Sequence, residues 1–303
     1  MSANTTGAPR IATGIVMIVC TVMCFACMDS MAKHLGKTHS PLQIAALRYI
    51  GSVIVTLLLL RPWRAPRRMR TGRPVLQIVR SACLALSTVF AYISLGFLPL
   101  TELTTIYFAS PLVVSLLAGP FLGEKTGPRR IAAVIVGFIG VLIVLRPSSS
   151  AVNAITLVPL VGAVLNALYN IATRKLAGED APETTMFYTG MVGMALLLPV
   201  LPFVWTAPAA ALDWALLGAL GTVGALAHWL LILAHKNAPA SMLAPFCYTQ
   251  LLGALVISDL FFDEVPDAWT LAGSAIIISS GLYVFYREAV RRRERNERIS
   301  LNP

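Results

Sequence analysis

Apolar residues of this chain fall into ten long runs, and the short segments between the runs carry most of the charge. A run of about 20 apolar residues is long enough to cross the hydrocarbon core of a bilayer as a helix. The pattern therefore predicts an all-α integral membrane protein with ten transmembrane helices. The predicted spans are residues 11–28, 41–60, 81–101, 103–123, 131–145, 153–173, 184–205, 214–235, 237–258 and 268–286.

The second half of the chain repeats the layout of the first half. Residues 238–286 fall on residues 98–146 without a gap at an offset of 140, and the turn residue Glu124 then falls on Glu264. A chain that repeats itself once, at about half its length, is two copies of one unit. The expected organisation is a five-helix repeat at 11–147, a second five-helix repeat at 153–287 and a basic tail at 288–303.

The distribution of Lys and Arg predicts how the helices are oriented. With the N-terminus in the cytoplasm, 20 basic residues fall in inner segments and 3 in outer segments. Because Lys and Arg are enriched in cytoplasmic loops, both termini are predicted to be cytoplasmic. An odd number of spans per repeat gives the two repeats opposite orientations. Inverted repeats are typical of secondary transporters, whose solute site lies near the membrane midplane between the repeats.

Composition excludes several other classes of protein. The chain is 57% hydrophobic and 13% charged, whereas soluble domains are about 25% charged. Its net charge of +10 is spread between apolar runs, which indicates contacts with anionic lipid headgroups and not with nucleic acid. The five cysteines lie inside apolar runs, as packing residues do. No metal-ligand spacing, nucleotide loop or nucleophile motif occurs, so no metal, cofactor or enzymatic activity is expected.

Three charged residues lie within or at the ends of predicted spans. Asp29 could bind a cation or relay a proton, or it could form an i,i+4 pair with Lys33. Arg48 could hold a substrate carboxylate, or it could be neutralised by Asp29 or Glu102. Glu102 follows a proline at the start of a span, where a carboxylate is also simply favourable with the helix dipole.

Polar residues form a stripe along the sixth predicted span. Asn166, Tyr169, Asn170 and Thr173 are spaced i, i+3, i+4 and i+7, which places them on one helix face. Four polar groups facing lipid would be costly, so this face meets protein or a water-filled cavity. It either faces the solute or makes hydrogen bonds between helices.

Prolines interrupt two spans at related places in the two halves. Pro111 lies in the fourth span and Pro245 in the ninth. Interrupted spans in corresponding positions of two halves are a sequence indication of a transport site. Tyr107, Tyr248 and Gln250 lie close to these interruptions and are candidate solute contacts.

Three further side chains are candidates for the same cavity. His228 and Trp229 in the eighth span could supply a titratable ring and a stacking surface, although a histidine in a membrane helix can also be a hydrogen-bonded packing residue. Tyr92 could line the cavity from the third span.

Parts of the chain resemble the EamA family of the drug/metabolite transporter superfamily. They are LRYIG at residues 47–51, ASPLVVSLLAGPFLGEK at 109–125 and the echo of this segment that ends in Glu264. The resemblance implies an inner-membrane carrier of small organic solutes with cytoplasmic termini. It also implies a central cavity lined by helices of both halves. Such carriers use no ATP and often exchange their solute with protons.

The resemblance identifies the fold better than the solute. MDSMAK at residues 28–33 is most similar to the branch that holds S-adenosylmethionine and riboflavin carriers. Other members handle amino acids, metallophores and drugs. We expect a secondary transporter that moves a small metabolite across the bacterial inner membrane by alternating access. The alternatives are a non-transporting membrane partner or regulator, and an exporter of drugs or metallophores on the same fold.

Overall fold

All regular structure in the described part of the chain is helical. The computed structural model describes residues 7–61, 63, 69–122, 128–146, 157–176, 179–238 and 240–301. The helices of the first half are α1 (Gly7–Leu35), α2 (Pro41–Leu60), α3 (Pro74–Ser94), α4 (Leu100–Tyr107), α5 (Ser110–Leu122) and α6 (Pro128–Leu145). Those of the second half are α7 (Val158–Leu176), α8 (Pro182–Leu197), α9 (Leu201–Val204), α10 (Ala211–Asn237), α11 (Ala240–Cys247), α12 (Thr249–Phe262) and α13 (Ala268–Leu301).

Seven helical stretches of the described residues are long and apolar enough to cross a bilayer. They are Arg10–Leu35, Pro41–Leu60, Pro74–Ser94, Leu100–Leu117, Ala211–Ala234, Pro245–Phe262 and Ala268–Arg287, and Ile131–Leu145 is a shorter apolar helix. Large apolar side chains are exposed on these helices, as they are where a helix faces lipid. The chain is therefore a multi-pass membrane protein. The count of ten spans and the side of each terminus stay predictions.

The third span was predicted at residues 81–101, but α3 covers Pro74–Ser94. Pro74 lies in the first turn of α3, where its missing N–H leaves no helical hydrogen bond unmade. A turn follows Ser94, with the Leu98 N–H bonded to the Ser94 carbonyl at 2.8 Å. Arg80, which was counted with the cytoplasmic loop, therefore lies inside the helix. The last helix also differs from expectation, because α13 continues through the basic tail to Leu301.

The fourth and ninth spans are each broken into two helices. The α-helical hydrogen bonding is interrupted by tighter i→i−3 turns at Phe108 and Ala109 between α4 and α5, and at Tyr248 between α11 and α12. Phe108 and Tyr248 are separated by the offset of 140 that relates the halves. Pro111 and Pro245 lie close to the two breaks, and neither can donate a backbone hydrogen bond. The breaks agree with the interruptions that the prolines predict.

Helix packing follows the same correspondence. Helix α1 packs on α10, and its counterpart α7 packs on α3. Helix α2 packs on α10, as α8 packs on α3, and α1 packs on α12, as α7 packs on α5. The corresponding helices α2 and α8 contact each other, and so do α6 and α13. The core therefore lies where helices from both halves of the chain meet.

Small residues allow two of these pairs to approach closely. A Cβ atom on Gly51 of α2 would lie 2.9 Å from the Cα atom of Gly221 of α10. A Cβ atom on Gly140 of α6 would lie 2.9 Å from the carbonyl oxygen of Gly273 of α13. These glycines let helix backbones touch, which is how membrane helices gain packing energy.

Candidate functional site

Arg48 of α2 is held in the core by groups from three helices. Its side chain is 5% exposed. Nη1 donates to the Thr88 hydroxyl of α3 at 2.8 Å, and Nε lies 3.2 Å from the Met28 sulfur of α1. The guanidinium carbon lies 5.0 Å from the centroid of the Tyr49 ring, a cation–π contact. None of these partners is a carboxylate.

The sequence of α2 explains why Arg48 lies at this depth. Helix α2 begins at Pro41, so Arg48 lies about 10 Å along the helix axis from its start. Gln43 fixes this end of α2, because its amide nitrogen donates to the Thr206 carbonyl and its amide oxygen accepts from the Thr206 N–H, both at 2.8 Å. Gly224 of α10 adjoins the guanidinium, and a Cβ there would make an ordinary contact 3.6 Å from Arg48 Nε.

Asp29 of α1 is the acid that interacts with Arg48 among the described residues. The two side chains interact electrostatically, although no ion pair between them forms among the described contacts. The alternative pairing of Asp29 with Lys33 is not what the structure shows. Lys33, which is 8% exposed, pairs with Glu264 at 2.6 Å and donates to the Leu98 carbonyl at 3.1 Å. Asp29 therefore stays available to balance Arg48 or a bound cation.

Two tyrosines adjoin the Arg48 region. Tyr92 of α3 is buried and interacts electrostatically with Arg48, and its hydroxyl has no hydrogen-bond partner among the described residues. Tyr107 of α4 donates to the Ser87 carbonyl of α3 at 2.8 Å. A Cβ on Gly162 of α7 would collide with the Tyr107 hydroxyl. Tyr107 therefore joins α3, α4 and α7, and Tyr92 supplies a free hydroxyl beside Arg48.

His228 of α10 lies at the same centre. Its ring packs edge-to-face on Phe25 of α1, with centroids 5.4 Å apart, and it senses the charges of both Arg48 and Arg80. Trp229 follows it on α10 and is half-buried. His228 therefore packs on α1 and interacts electrostatically with Arg48, and its contact with solute stays a prediction.

The stripe on α7 splits into two parts. The Asn166 side-chain oxygen accepts from Ser110 of α5 at 3.0 Å and from Asn170 at 2.9 Å, and Asn170 also donates to the Asn166 carbonyl. Both asparagines are therefore engaged by protein groups. Tyr169 instead makes a cation–π contact with Arg80, whose guanidinium carbon lies 4.8 Å from the ring centroid.

Arg80 is a buried cation that the sequence analysis did not single out. It is 1% exposed. Nη2 donates to the Thr189 hydroxyl at 2.6 Å and to the Thr185 carbonyl at 3.4 Å, both on α8. Nε has no partner among the described residues. The signal that could have found it is Pro74, which starts α3 seven residues earlier than the apolar run suggests.

The residues at the two helix breaks contact each other. The rings of Phe108 and Tyr248 pack edge-to-face with centroids 5.0 Å apart. The Tyr248 hydroxyl is buried against Gly281 and has no hydrogen-bond partner among the described residues. Gln250 is half-buried two residues later, at the start of α12. The breaks of the two halves therefore meet at an aromatic contact.

Glu102 lies elsewhere, in a cleft of about 410 Å³. The cleft is lined by Pro99, Glu102, Val144, Leu145, Arg146, Val265, Pro266 and Asp267. Glu102 accepts from the Thr270 hydroxyl at 3.3 Å, and Arg146 pairs with Asp267. Glu102 is therefore not the partner of Arg48. The backbone N–H of Thr270 and the Arg146 guanidinium hold the pKa of Asp267 below its usual value.

Comparisons with known proteins identify the family of this chain. The model of the EamA-like transporter family matches residues 12–146 and 153–286. The chain is 30% identical to an S-adenosylmethionine uptake transporter of Rickettsia bellii, with 91% of the chain and 94% of the relative covered. It is 28% identical to a riboflavin transporter of Vibrio cholerae (93% and 96% covered). It is 29% identical to a pseudopaline exporter of Pseudomonas aeruginosa (88% and 93% covered).

A solved crystal structure supports the fold independently. It superposes with a TM-score of 0.65 at 16% sequence identity, covering 93% of this chain and 99% of the other. The family match spans nearly the whole chain, and the similar relatives are transporters and not enzymes. The chain therefore belongs to the EamA-like transporter family and is a small-molecule transporter that crosses the membrane several times.

Proposed function

We propose that this chain is a secondary transporter that moves a small organic solute bearing a carboxylate across the bacterial inner membrane. The proposal rests on one observation, which is that Arg48 is buried in the core. A buried arginine in a membrane protein is costly unless it is paired, and such residues commonly mark a substrate path. Arg48 is held by a hydroxyl, a sulfur and an aromatic ring, and its guanidinium keeps the capacity to bind an anionic oxygen group.

The surroundings of Arg48 fit a zwitterionic solute. Asp29 would bind the cationic part of such a solute or take up a coupled proton, while Arg48 binds the anionic part. Tyr92 and His228 would orient the solute by hydrogen bonds, and Tyr49 and Trp229 would supply aromatic walls. S-adenosylmethionine carries both a carboxylate and cationic groups. It is the solute in the name of the Rickettsia relative, and we propose it as the first compound to test.

The transport mechanism proposed is alternating access between two inverted five-helix repeats, residues 11–147 and 153–287. Three features support it: the family model matches each half, helix packing follows the offset between halves, and the two helix breaks correspond. The broken spans are the moving parts in this proposal, because a break lets one half-helix tilt without the other. Both termini would lie in the cytoplasm, and the basic loops would contact anionic lipid headgroups.

Tracer flux in proteoliposomes tests the proposal. The panel contains S-adenosylmethionine, riboflavin, an aromatic amino acid and an aliphatic amino acid, each with and without a proton gradient. Arg48→Ala is compared with Arg73→Ala, which removes an exposed arginine that pairs with Glu179. Saturable flux of a carboxylate-bearing compound that is lost in Arg48→Ala and kept in Arg73→Ala supports the proposal, whereas flux of riboflavin alone, which has no carboxylate, rules out the proposed solute class. Equal flux in Arg48→Ala rules out the assigned site, and the absence of flux across a widened panel favours a non-transporting membrane partner.

A further inference from the structure

Arg80 is buried without a carboxylate partner in the described part of the chain. Its Nη atoms bond to the Thr189 hydroxyl and the Thr185 carbonyl, and its Nε has no partner among the described residues. Tyr169 adds a side-chain hydrogen bond and its ring, whose centroid lies 4.8 Å from the guanidinium carbon. The carboxylate of Asp180 is engaged by Thr71 at 2.5 Å and by Gln77, one turn before Arg80 on α3, at 2.7 Å. The charge of Arg80 therefore has only dipoles and a ring to balance it.

This arrangement is expensive if it serves only to hold helices together. A hydroxyl and a backbone carbonyl carry partial charges, so they satisfy the N–H groups but leave the positive charge unneutralised. A neutral side chain could join α3 to α8 without that cost. The retained charge indicates that an anion contacts Arg80 in another state of the protein.

Arg80 and Arg48 interact electrostatically with the same groups. His228 senses the charges of both arginines, and Tyr49 interacts with both. Thr88, which binds Arg48, follows Arg80 by eight residues on α3, a rise of about 12 Å. The two cations therefore lie at successive depths along α3, and Asp29 interacts electrostatically with Arg48.

We infer that Arg80 is a second anion-binding residue of the solute pathway, at the end where α3, α7 and α8 meet. It takes the carboxylate or another anionic oxygen group of the solute when Thr189 moves aside. The inference rests on the proposed function and names its solute class as an organic anion or zwitterion. Arg48 and Arg80 would bind the same anionic group in turn as the protein opens to one side and then to the other.

Thiol labelling tests the inference without knowledge of the solute. Thr189→Cys is made in a protein whose five native cysteines are replaced by serine. The protein is reconstituted in neutral lipid, and sulfonatoethyl or trimethylammonioethyl methanethiosulfonate is added on one side at a time. The labelling rate with each reagent is divided by the rate of the same reagent with a free thiol in solution, so that the intrinsic reactivity of the reagent cancels. We expect reaction from the cytoplasmic side, with the anionic reagent favoured about tenfold, since a fixed positive field concentrates anions.

Control variants separate an effect of the Arg80 charge from a structural effect of the substitution. Arg80→Gln should abolish the preference for the anionic reagent, whereas Arg80→Lys and the surface change Arg73→Gln should keep it. No labelling from either side, or a preference unchanged in Arg80→Gln, overturns the inference and makes Arg80 a structural link between α3 and α8. Loss of anionic labelling when anionic lipid is added assigns the site to a lipid headgroup and overturns it too. The flux panel reports separately on the proposed function, so either claim can fail alone.

Discussion

The two buried arginines have nearly the same cradle and different electrostatic surroundings. Arg48 lies on the Thr88 hydroxyl with its guanidinium carbon 5.0 Å from the Tyr49 ring. Arg80 lies on the Thr189 hydroxyl with its guanidinium carbon 4.8 Å from a tyrosine ring. Among the residues that the structure describes, an acid (Asp29) interacts with Arg48 and none interacts with Arg80. A hydroxyl and an aromatic ring are therefore sufficient to position a guanidinium in this core. A nearby acid determines the net local charge, which is more positive around Arg80 than around Arg48.

The largest effect is expected from Arg48→Ala. If Arg48 binds the anionic group of the solute, its loss removes charge-assisted hydrogen bonds of about 1.5–3 kcal/mol and lowers kcat/KM about 100-fold. Initial rates of tracer uptake measure this effect. Arg73→Ala, at an exposed ion pair, should stay near the wild-type rate. A decrease of less than twofold would show that Arg48 is structural.

Arg80→Gln should have a smaller effect, about tenfold in kcat/KM, because Arg80 is closed off by Thr189 in this structure. The change should act on one direction of transport more than on the other, since Arg80 serves one end of the pathway. Initial rates with the solute added inside or outside the vesicles measure the asymmetry. Equal losses in both directions would remove the distinction between the two arginines.

The next prediction concerns the threonine hydroxyls that bind the two arginines. Thr88→Val and Thr189→Val each leave a buried guanidinium with one hydrogen bond fewer, and each should lower the apparent solute affinity about fivefold to tenfold. Thr222→Val is the matched control, because Thr222 is exposed and bonds only within its own helix. Concentration dependence of uptake gives the three affinities. Equal apparent affinities for Thr88→Val and Thr222→Val would show that the Thr88 hydroxyl does not position Arg48 for the solute.

The Lys33–Glu264 ion pair shows what full neutralisation of a buried cation contributes. Lys33 and Glu264 join α1 to the turn before α13, and Lys33 also contacts the Phe262 ring. A double-mutant cycle of Lys33→Met and Glu264→Gln on thermal stability should give a coupling of about 1–2 kcal/mol. The exposed pair Arg73–Glu179 should give about 0.5 kcal/mol or less. A larger coupling for the exposed pair would reverse this ranking.

The smallest effect is expected at Asp267. The Thr270 N–H and Arg146 lower the pKa of this exposed carboxyl, so its contribution to stability is present above the unfolded pKa and is lost as pH falls through the folded value. The melting temperature of Asp267→Asn should therefore differ from wild type by the same small amount at pH 8 and pH 5. The difference should shrink only below about pH 4. A difference that grows between pH 8 and pH 5 would have the wrong sign.

Sequence patterns predicted the helices better than the contacts between them. The runs of apolar residues located α2 to the residue, and Pro111 and Pro245 indicated where two spans break. Arg48 stood out because it lies well inside a run. Arg80 was missed because it adjoins an arginine-rich loop, and only Pro74 marks the true start of α3. Glu124, which aligns with Glu264 when the two repeats are superposed in sequence, lies outside the described residues.

Partners distant in the chain could not be predicted from spacing. Lys33 was expected four residues from a possible partner, Asp29, but it binds Glu264, which is 231 residues away. Glu102 was a possible partner of Arg48 and instead bonds to Thr270. Local periodicity fixes which face of a helix is polar, whereas the choice between two polar partners depends on how the halves pack.

The most direct test of the central claim is solute discrimination by charge at Arg48. Uptake of labelled S-adenosylmethionine would be competed with unlabelled S-adenosylmethionine and with its carboxamide, which lacks the anionic group. We predict that wild type prefers the carboxylate at least about tenfold and that Arg48→Gln loses this preference, while Arg73→Gln keeps it. Saturable uptake with equal competition by both compounds, or a preference unchanged in Arg48→Gln, would contradict this prediction.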